Sequence, residues 1–224
     1  MLYLIGFMIL ILIIPLYAQA RVKGAYKKYL KVGNSTGLTG AETARKILND
    51  NGLFNVSIQE VRGKLSDHYN PRTKVVNLSS DIYHGHSLAG TAVAAHEVGH
   101  AIQDAKNYAP LRFRTSLVPV ASLGSNLALP LILAGAIFGF MGLAMLGVIF
   151  FAAAVLFQIV TLPVEFNASS RAMKQVVALN IIGSDEKKGA KKVLDAAAMT
   201  YVAATLVALL QLLWFLMMFV GGDD

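Results

Sequence analysis

The longest uncharged stretch of the chain runs from Thr115 to Val164 and reads TSLVPVASLGSNLALPLILAGAIFGFMGLAMLGVIFFAAAVLFQIVTLPV. An α-helix rises about 1.5 Å per residue and the hydrocarbon core of a bilayer is about 30 Å thick, so these 50 residues are about twice what one crossing needs. The stretch therefore predicts a transmembrane hairpin over 117–162. Its arms are 117–138 and 143–162, and Gly139-Phe140-Met141-Gly142 links them.

Two further apolar runs, 2–18 and 199–220, predict a first and a fourth transmembrane helix. Since 55% of the residues are hydrophobic and only 15% are charged, the composition excludes an ordinary soluble enzyme. Two polar segments remain, 19–116 and 163–198, and together they are large enough for one compact domain. We predict a mainly α membrane protein with four transmembrane helices and a small α+β domain.

The two polar segments are expected on the same side of the membrane, because two crossings separate them. All 20 Lys and Arg residues lie in these segments, whereas the hairpin link has none and the chain ends in Asp223-Asp224. The positive-inside tendency then predicts that the domain is cytoplasmic and that both termini lie outside. The alternative is a cleaved signal peptide, since Ala18-Gln19-Ala20 resembles a cleavage site, but no positive charge precedes Arg21.

The polar segment 19–116 contains signals for both helix and strand. Thr39 followed by Glu42 fits a capping box, and it predicts a helix that ends at Asn51-Gly52. The alternation over Val56–Val61 and the run Lys74–Leu78 each predict a strand. These signals indicate an α+β domain.

The residues His96-Glu97-Val98-Gly99-His100 match the pattern H-E-x-x-H. On a helix, His96 and His100 project from one face, so two neutral imidazoles can bind one Zn²⁺ while Glu97 stands beside the open coordination position. Gly99 is costly within a helix, which predicts that another element packs closely there. The alternative is that both are ordinary histidines on an alanine-rich helix.

A catalytic zinc usually has three protein ligands, so a third is needed. Glu165 is the candidate, because an acidic residue so close to the hydrocarbon boundary is costly unless it is paired or metal-bound. The alternative is that Glu165 pairs with Arg171 at the water interface. Asp104 and His86 are the fallback ligands.

The chain resembles the YugP-type membrane zinc metallopeptidases and, more distantly, the HtpX-like gluzincins. The resemblance rests on three stretches, which are 67–72 (DHYNPR), 93–103 (VAAHEVGHAIQ) and 162–169 (LPVEFNAS). It implies a zincin-like domain in a bacterial plasma membrane, with one Zn²⁺ per chain held by His96, His100 and Glu165, and with Glu97 as the catalytic base.

The chain departs from the gluzincin pattern at one position. Four residues after the ligand Glu, that pattern often has an Asp that orients a ligand His, but here Ser169 occupies the position and Asn167 stands nearby. Ser169 shares a helical face with Glu165, so its hydroxyl is the candidate for the same task, although it is weaker than a carboxylate.

The predicted function is zinc-dependent hydrolysis of peptide bonds within a protein or peptide, with Glu97 moving the proton of the attacking water. A hydrogen-bond donor to the oxyanion is also expected, and the sequence does not choose among five candidates, which are Tyr69, Tyr83, His84, His86 and Arg171. An exposed edge of the strand through Val75, Val76 and Asn77 is predicted to bind an extended substrate. The alternative function is a non-catalytic membrane binding or scaffold protein with a structural or vestigial metal site.

The expected partners are membrane lipids and peptide or protein substrates, membrane proteins among them. The basic cluster over 187–192 is predicted to lie at the anionic lipid surface. Nucleic acid is not expected as a partner, because no aromatic or glycine-rich binding pattern accompanies the cluster.

Overall fold

The computed structural model describes residues 2–220. Seven helices and three strands follow one another along this part of the chain. They are α1 (Leu2–Tyr29), α2 (Gly40–Asp50), β1 (Ser57–Val61), β2 (His68–Asn70), β3 (Val75–Ser79), α3 (Ser80–Tyr83), α4 (Leu88–Ala105), α5 (Ala109–Ile137), α6 (Met141–Ala178) and α7 (Lys187–Val220). The acidic pair Asp223-Asp224, used in the orientation prediction, lies outside the described residues.

The helices α1, α5, α6 and α7 are long and apolar enough to cross a membrane, which confirms the prediction of four candidate transmembrane helices. Each helix also continues beyond its predicted span. Helix α1 runs through Ala18-Gln19-Ala20 to Tyr29, and α6 continues through Pro163 to Ala178. Proline is tolerated in such helices because neighbouring groups satisfy the backbone that it frees. Glu165 therefore lies inside a helix.

The hairpin of α5 and α6 is packed through small residues. A Cβ on Gly147 would lie 2.8 Å from the carbonyl oxygen of Ala128 and 2.7 Å from Cγ1 of Ile132, and a Cβ on Gly135 would collide with the backbone of Ala144. Such close approach is how helices associate inside a bilayer, where no hydrophobic effect drives them together. These contacts hold α5 and the first turns of α6 closely together.

The small domain has a three-stranded sheet of order β1-β3-β2, in which β3 pairs parallel with β1 and antiparallel with β2. The predicted capping box is present, with Thr39 and Glu42 each bonded to the other's backbone. The core lies between the sheet, α2 and α4, and its innermost side chains include Ile47, Leu48, Val76 and Leu78.

The sheet corrects the prediction that Val75, Val76 and Asn77 form an exposed substrate-binding edge. These residues belong to β3, which is the central strand, and every residue of β3 is buried. Both edges of β3 are already hydrogen-bonded to β1 and β2, so no further strand can pair with it. The edge strand on the side of α4 is β2, which the sequence did not predict.

Helix α4 forms where the H-E-x-x-H motif predicts it, and Ser87 caps its first turn by accepting a hydrogen bond from the Gly90 backbone N–H. A Cβ on Gly99 would lie 2.6 Å from the carbonyl oxygen of Ala168. Ala168 belongs to α6, so the close packing predicted at Gly99 is confirmed. This packing brings α4 against the helix that carries Glu165.

Candidate metal centre

The side chains of His96, His100 and Glu165 converge between α4 and α6. Their candidate ligand atoms all lie within 4.8 Å of one another, a grouping that could hold a metal ion. Oε2 of Glu165 is 3.2 Å from Nε2 of His96 and 3.6 Å from Nε2 of His100. The two histidines are one helical turn apart on α4, which places both rings on the same face. Glu165 is only 2% exposed.

The sequence left open whether Glu165 pairs with Arg171 instead. In the structure, Arg171 donates from Nε to Oδ1 of Asn167 at 2.6 Å, and Glu165 is in contact with the two imidazoles. The ion pair with Arg171 is therefore not formed.

Hydrogen bonds on the far side of each imidazole determine which nitrogen faces Glu165. Nδ1 of His96 is 3.1 Å from the hydroxyl of Ser169, and Nδ1 of His100 is 3.0 Å from Oε1 of Gln103. The amide nitrogen of Gln103 donates to the carbonyl of Val164 and to Asn167, so Oε1 of Gln103 is left as the acceptor for His100. His100 therefore donates from Nδ1 to Gln103, and its Nε2, which faces Glu165, is the atom left to bind a metal ion when the ring is neutral.

Gln103 was not among the residues predicted from the sequence. Gln103 is fully buried. Two of its hydrogen bonds connect α4 to α6, and a third connects it to His100. Its position three residues after His100, on the same helical face, was the available signal. Asn167, predicted to lie near the site, accepts from both Gln103 and Arg171 and so completes this chain of contacts.

A cavity of about 160 Å³ opens beside the cluster. Glu97 lies in its wall and is 8% exposed, so this carboxylate stands next to the space in front of the cluster. The wall combines polar-domain residues with residues of the membrane helices. Its lining residues are Asp67, His68, Tyr69, Pro71, His96, Glu97, His100, Leu111, Arg114, Thr115, Glu165 and Tyr201.

Arg114 and Tyr201 are cavity residues that the sequence reasoning missed. Arg114 lies on α5 with its guanidinium 5.7 Å from the ring of Phe157, and its buried Nε has no hydrogen-bond partner among the described residues. Tyr201 lies on α7 beside Glu165. Tyr201 comes from a helix distant in sequence from α4, whereas Arg114 lies on α5, the next helix along the chain. The signal available for Arg114 was that it is the last charge before the uncharged stretch.

The other sequence candidates lie in different places. Tyr69 is in the cavity wall, but its hydroxyl donates to Asp104 at 2.7 Å. Burial, followed by this hydrogen bond, raises the pKa of Tyr69 well above its usual value of about 10. The fallback ligand Asp104 is paired with Lys74 and is not in the cluster.

Three further candidates, His84, His86 and Tyr83, lie away from the cluster. His84 contacts Glu60 at 3.1 Å, and Tyr83 lies against the ring of His84. Nδ1 of His86 contacts the carbonyl of Gly37 at 2.6 Å, so this fallback ligand also points elsewhere. The structure therefore brings neither His84 nor His86 to the cavity.

The donor set of the cluster fits a zinc ion. Two imidazoles and one carboxylate are ligands that Zn²⁺ takes, and three protein ligands leave a fourth position for water. Burial by itself lowers the pKa of His100, but the hydrogen bond with Glu165 and the nearby charge of Glu97 outweigh it and raise this pKa above the ordinary value. Such a site attracts a cation strongly, because a buried carboxylate beside two neutral imidazoles has no positive charge to compensate it.

The fold and the cluster together define a mainly helical protein with four candidate membrane-spanning helices and a candidate metal centre between α4 and α6. The model of the family described as "Putative neutral zinc metallopeptidase" matches residues 3–220, so the chain belongs to that family. The chain is 50% identical over 208 residues to the "Putative membrane protease YugP" of Bacillus subtilis (strain 168), and the match covers 93% of this chain and 92% of that protein. The family predicted from the sequence is thereby confirmed. No solved structure matches the chain.

Proposed function

We propose that this protein is an integral-membrane zinc endopeptidase. The observation that carries the proposal is the convergence of Nε2 of His96, Nε2 of His100 and a carboxylate oxygen of Glu165 beside a cavity that also exposes Glu97. A purely structural metal site has four protein ligands and needs neither a cavity nor a free carboxylate beside it.

His96, His100 and Glu165 are the proposed ligands of one Zn²⁺. Bound there, zinc would lower the pKa of a water molecule and polarise the carbonyl of the peptide bond. Glu97 accepts a proton from the attacking water and later donates it to the departing amine. Ser169 and Gln103 hold the two imidazoles in the orientation in which Nε2 faces the metal.

Tyr201 and Arg114 are the proposed donors to the oxyanion. Both line the cavity, where Tyr201 lies beside Glu165 and the buried Nε of Arg114 has no hydrogen-bond partner among the described residues. Tyr69 is a weaker candidate, because its hydroxyl already donates to Asp104. His84, His86, Tyr83 and Arg171 lie outside the cavity wall. Removing one such donor typically lowers kcat by about 100-fold to 1,000-fold.

The substrate is proposed to extend along β2 instead of β3. His68 and Tyr69 of β2 line the cavity, and β2 is at the edge of the sheet with only one paired neighbour. An extended peptide added to this edge would pass in front of His96 and His100. The opposite wall of the cavity comes from the membrane helices through Arg114 and Tyr201, and this supports substrates that are themselves membrane-anchored.

The polar domain is proposed to face the cytoplasm across the bacterial plasma membrane. Arg21 and Lys28 lie at one end of α1, and the cluster over 187–192 lies at the adjoining end of α7. The link between α5 and α6, at the other end of the bundle, carries no charge. Positive charge concentrates on the cytoplasmic side of membrane proteins, which supports this orientation.

The decisive experiment compares Glu97→Gln with the wild type after purification in detergent. We expect both proteins to bind about one zinc per chain, while peptide cleavage in the variant falls by about 100-fold to 10,000-fold. Glu60→Gln is the matched control, because Glu60 lies on the exposed side of β1 against His84. Equal cleavage by wild type and Glu97→Gln, with full zinc in both, would contradict the mechanism. No cleavage by the zinc-loaded wild type would favour the scaffold function.

A further inference from the structure

A groove runs between α1 and α7, away from the candidate metal centre. Its upper part has a volume of about 530 Å³, within the range of about 300–1,000 Å³ typical of small-molecule sites. Arg21, Lys28 and Lys192 line it. Gly24 lies in the same wall, and a Cβ built on Gly24 would meet nothing within 4 Å, so the groove has unfilled space at this level.

The groove continues toward the membrane interior as an apolar channel of about 360 Å³. The two parts share Tyr17, Arg21 and Met199, so they form one continuous depression, which we name the α1–α7 groove. Ile13 and Leu206 line its lower part. One end of the α1–α7 groove is thus basic and the other is hydrocarbon-like.

The three cations of the α1–α7 groove are available to an anion. Among residues 2–220, none of Arg21, Lys28 and Lys192 forms an ion pair. The one carboxylate in the groove wall, that of Asp195, is held by Lys191 at 2.6 Å. Arg21 lies 6.0 Å from the ring of Tyr17, which leaves its charge over the groove.

We propose that the α1–α7 groove binds one anionic glycerophospholipid. The phosphate lies among Arg21, Lys28 and Lys192, and an acyl chain follows the apolar channel past Ile13 and Leu206. Basic pockets between membrane helices on the cytoplasmic side bind anionic head groups in this way. A second copy of the chain fits poorly, because copies in one membrane share their orientation and would bring the same basic helix ends together.

Native mass spectrometry of the full chain, released from detergent after incubation with equal amounts of phosphatidylglycerol and phosphatidylcholine of the same acyl chains, tests the proposal. We expect the wild type to retain phosphatidylglycerol preferentially. Replacing Arg21, Lys28 and Lys192 together by Gln is expected to reduce that preference about a hundredfold, which is roughly fivefold for each cation. The matched control replaces Lys23, Lys27 and Lys188, which lie outside the groove wall, and should retain the preference.

A second variant tests the location without changing any charge. Gly24→Leu fills the upper groove and is expected to abolish retention of the lipid, while Gly6→Leu, on the same helix and equally free of neighbours, keeps it. Unchanged phosphatidylglycerol retention in Gly24→Leu or in the triple Gln variant would overturn the proposal. So would equal retention of the two lipids by the wild type, or a dimer that Gly24→Leu converts to a monomer.

Discussion

The carbonyl oxygen of Ala168 occupies the space where a side chain on Gly99 would stand. Gly99→Ala should force α4 and α6 apart and lower the free energy of unfolding by about 1–3 kcal/mol. This loss exceeds the gain of about 1 kcal/mol that alanine gives through its higher helix propensity. We expect a lower melting temperature and weaker zinc binding, because α6 carries Glu165. Gly24→Ala is the control: it gains propensity without a collision. A more stable Gly99→Ala protein would contradict the close packing.

The hydroxyl of Ser169 lies 3.1 Å from Nδ1 of His96. Ser169→Ala removes the contact with Nδ1 of His96 and should weaken zinc binding by about tenfold, the lower end of such effects. Ser169→Asp should bind zinc more tightly than Ser169→Ala, because a carboxylate accepts more strongly. Ser170→Ala, at the exposed neighbouring position, should match the wild type. Competition with a chelator of known affinity measures all four proteins.

The raised pKa of His100 predicts how zinc binding depends on pH. In the metal-free protein the pKa of His100 is above the usual histidine pKa of about 6.5. Protonated His100 therefore stabilises the folded state fully below pH 6.5, and this stabilisation is lost as the pH rises through the raised pKa. Zinc requires the neutral ring, so zinc affinity should rise over the same range.

Chelator competition across this pH range measures the zinc affinity, and thermal unfolding follows the metal-free protein. Glu97→Gln removes one cause of the raised pKa, so its zinc affinity should begin to rise at lower pH. An affinity independent of pH from about 6 to 8 would contradict the assignment of His100 as a ligand.

The residues that sequence reasoning identified are those with a local pattern. His96 and His100 follow from spacing on one helix, and Glu165 follows from a lone charge beside an uncharged stretch. Tyr201 has no such pattern, because it enters the cavity from a helix whose rotation about its axis depends on packing. Arg114 borders the same uncharged stretch as Glu165, but only the packing of α5 shows that it reaches the cavity. His84 and His86 were candidates because of their residue type alone.

The tight packing of α5 on α6 should determine whether the hairpin keeps its shape. Gly147→Leu places new atoms against Ile132 and the carbonyl of Ala128. This overpacking should lower the free energy of unfolding by about 1–3 kcal/mol. Gly142→Leu is the control, since its Cβ would meet only the ring of Phe140 at 3.9 Å. Thermal unfolding in detergent measures both variants. Equal stability would show that the hairpin does not depend on this contact.

The six longer helices and the two longer strands were predictable, but the short helix α3 and the arrangement of the sheet were not. The capping box and the apolar runs are local signals, and α2, α4 and the four long helices follow them. The strand β2 has three residues, too few for an alternation to be recognised. Strand order depends on pairing between distant segments, which is why β3 was predicted as an edge and is the central strand.

The absence of cysteine gives a direct test of orientation, because any introduced thiol is unique. We expect a membrane-impermeant thiol reagent to label Phe138→Cys, in the exposed link between α5 and α6, on intact cells. Ser184→Cys, before α7, should be labelled only after the cells are opened, because the polar domain is proposed to be cytoplasmic. The reverse pattern of labelling would place the candidate metal centre outside the cell.

The path of the chain through the candidate metal centre has a practical consequence. Two of the three grouped side chains belong to α4, and the third comes only after the chain has passed through the hairpin of the candidate transmembrane helices α5 and α6. A water-soluble fragment ending before α5 would therefore lack Glu165 and the carbonyl that fills the space beside Gly99. Co-expression of two pieces divided at the link between α5 and α6 would keep all three side chains of the cluster.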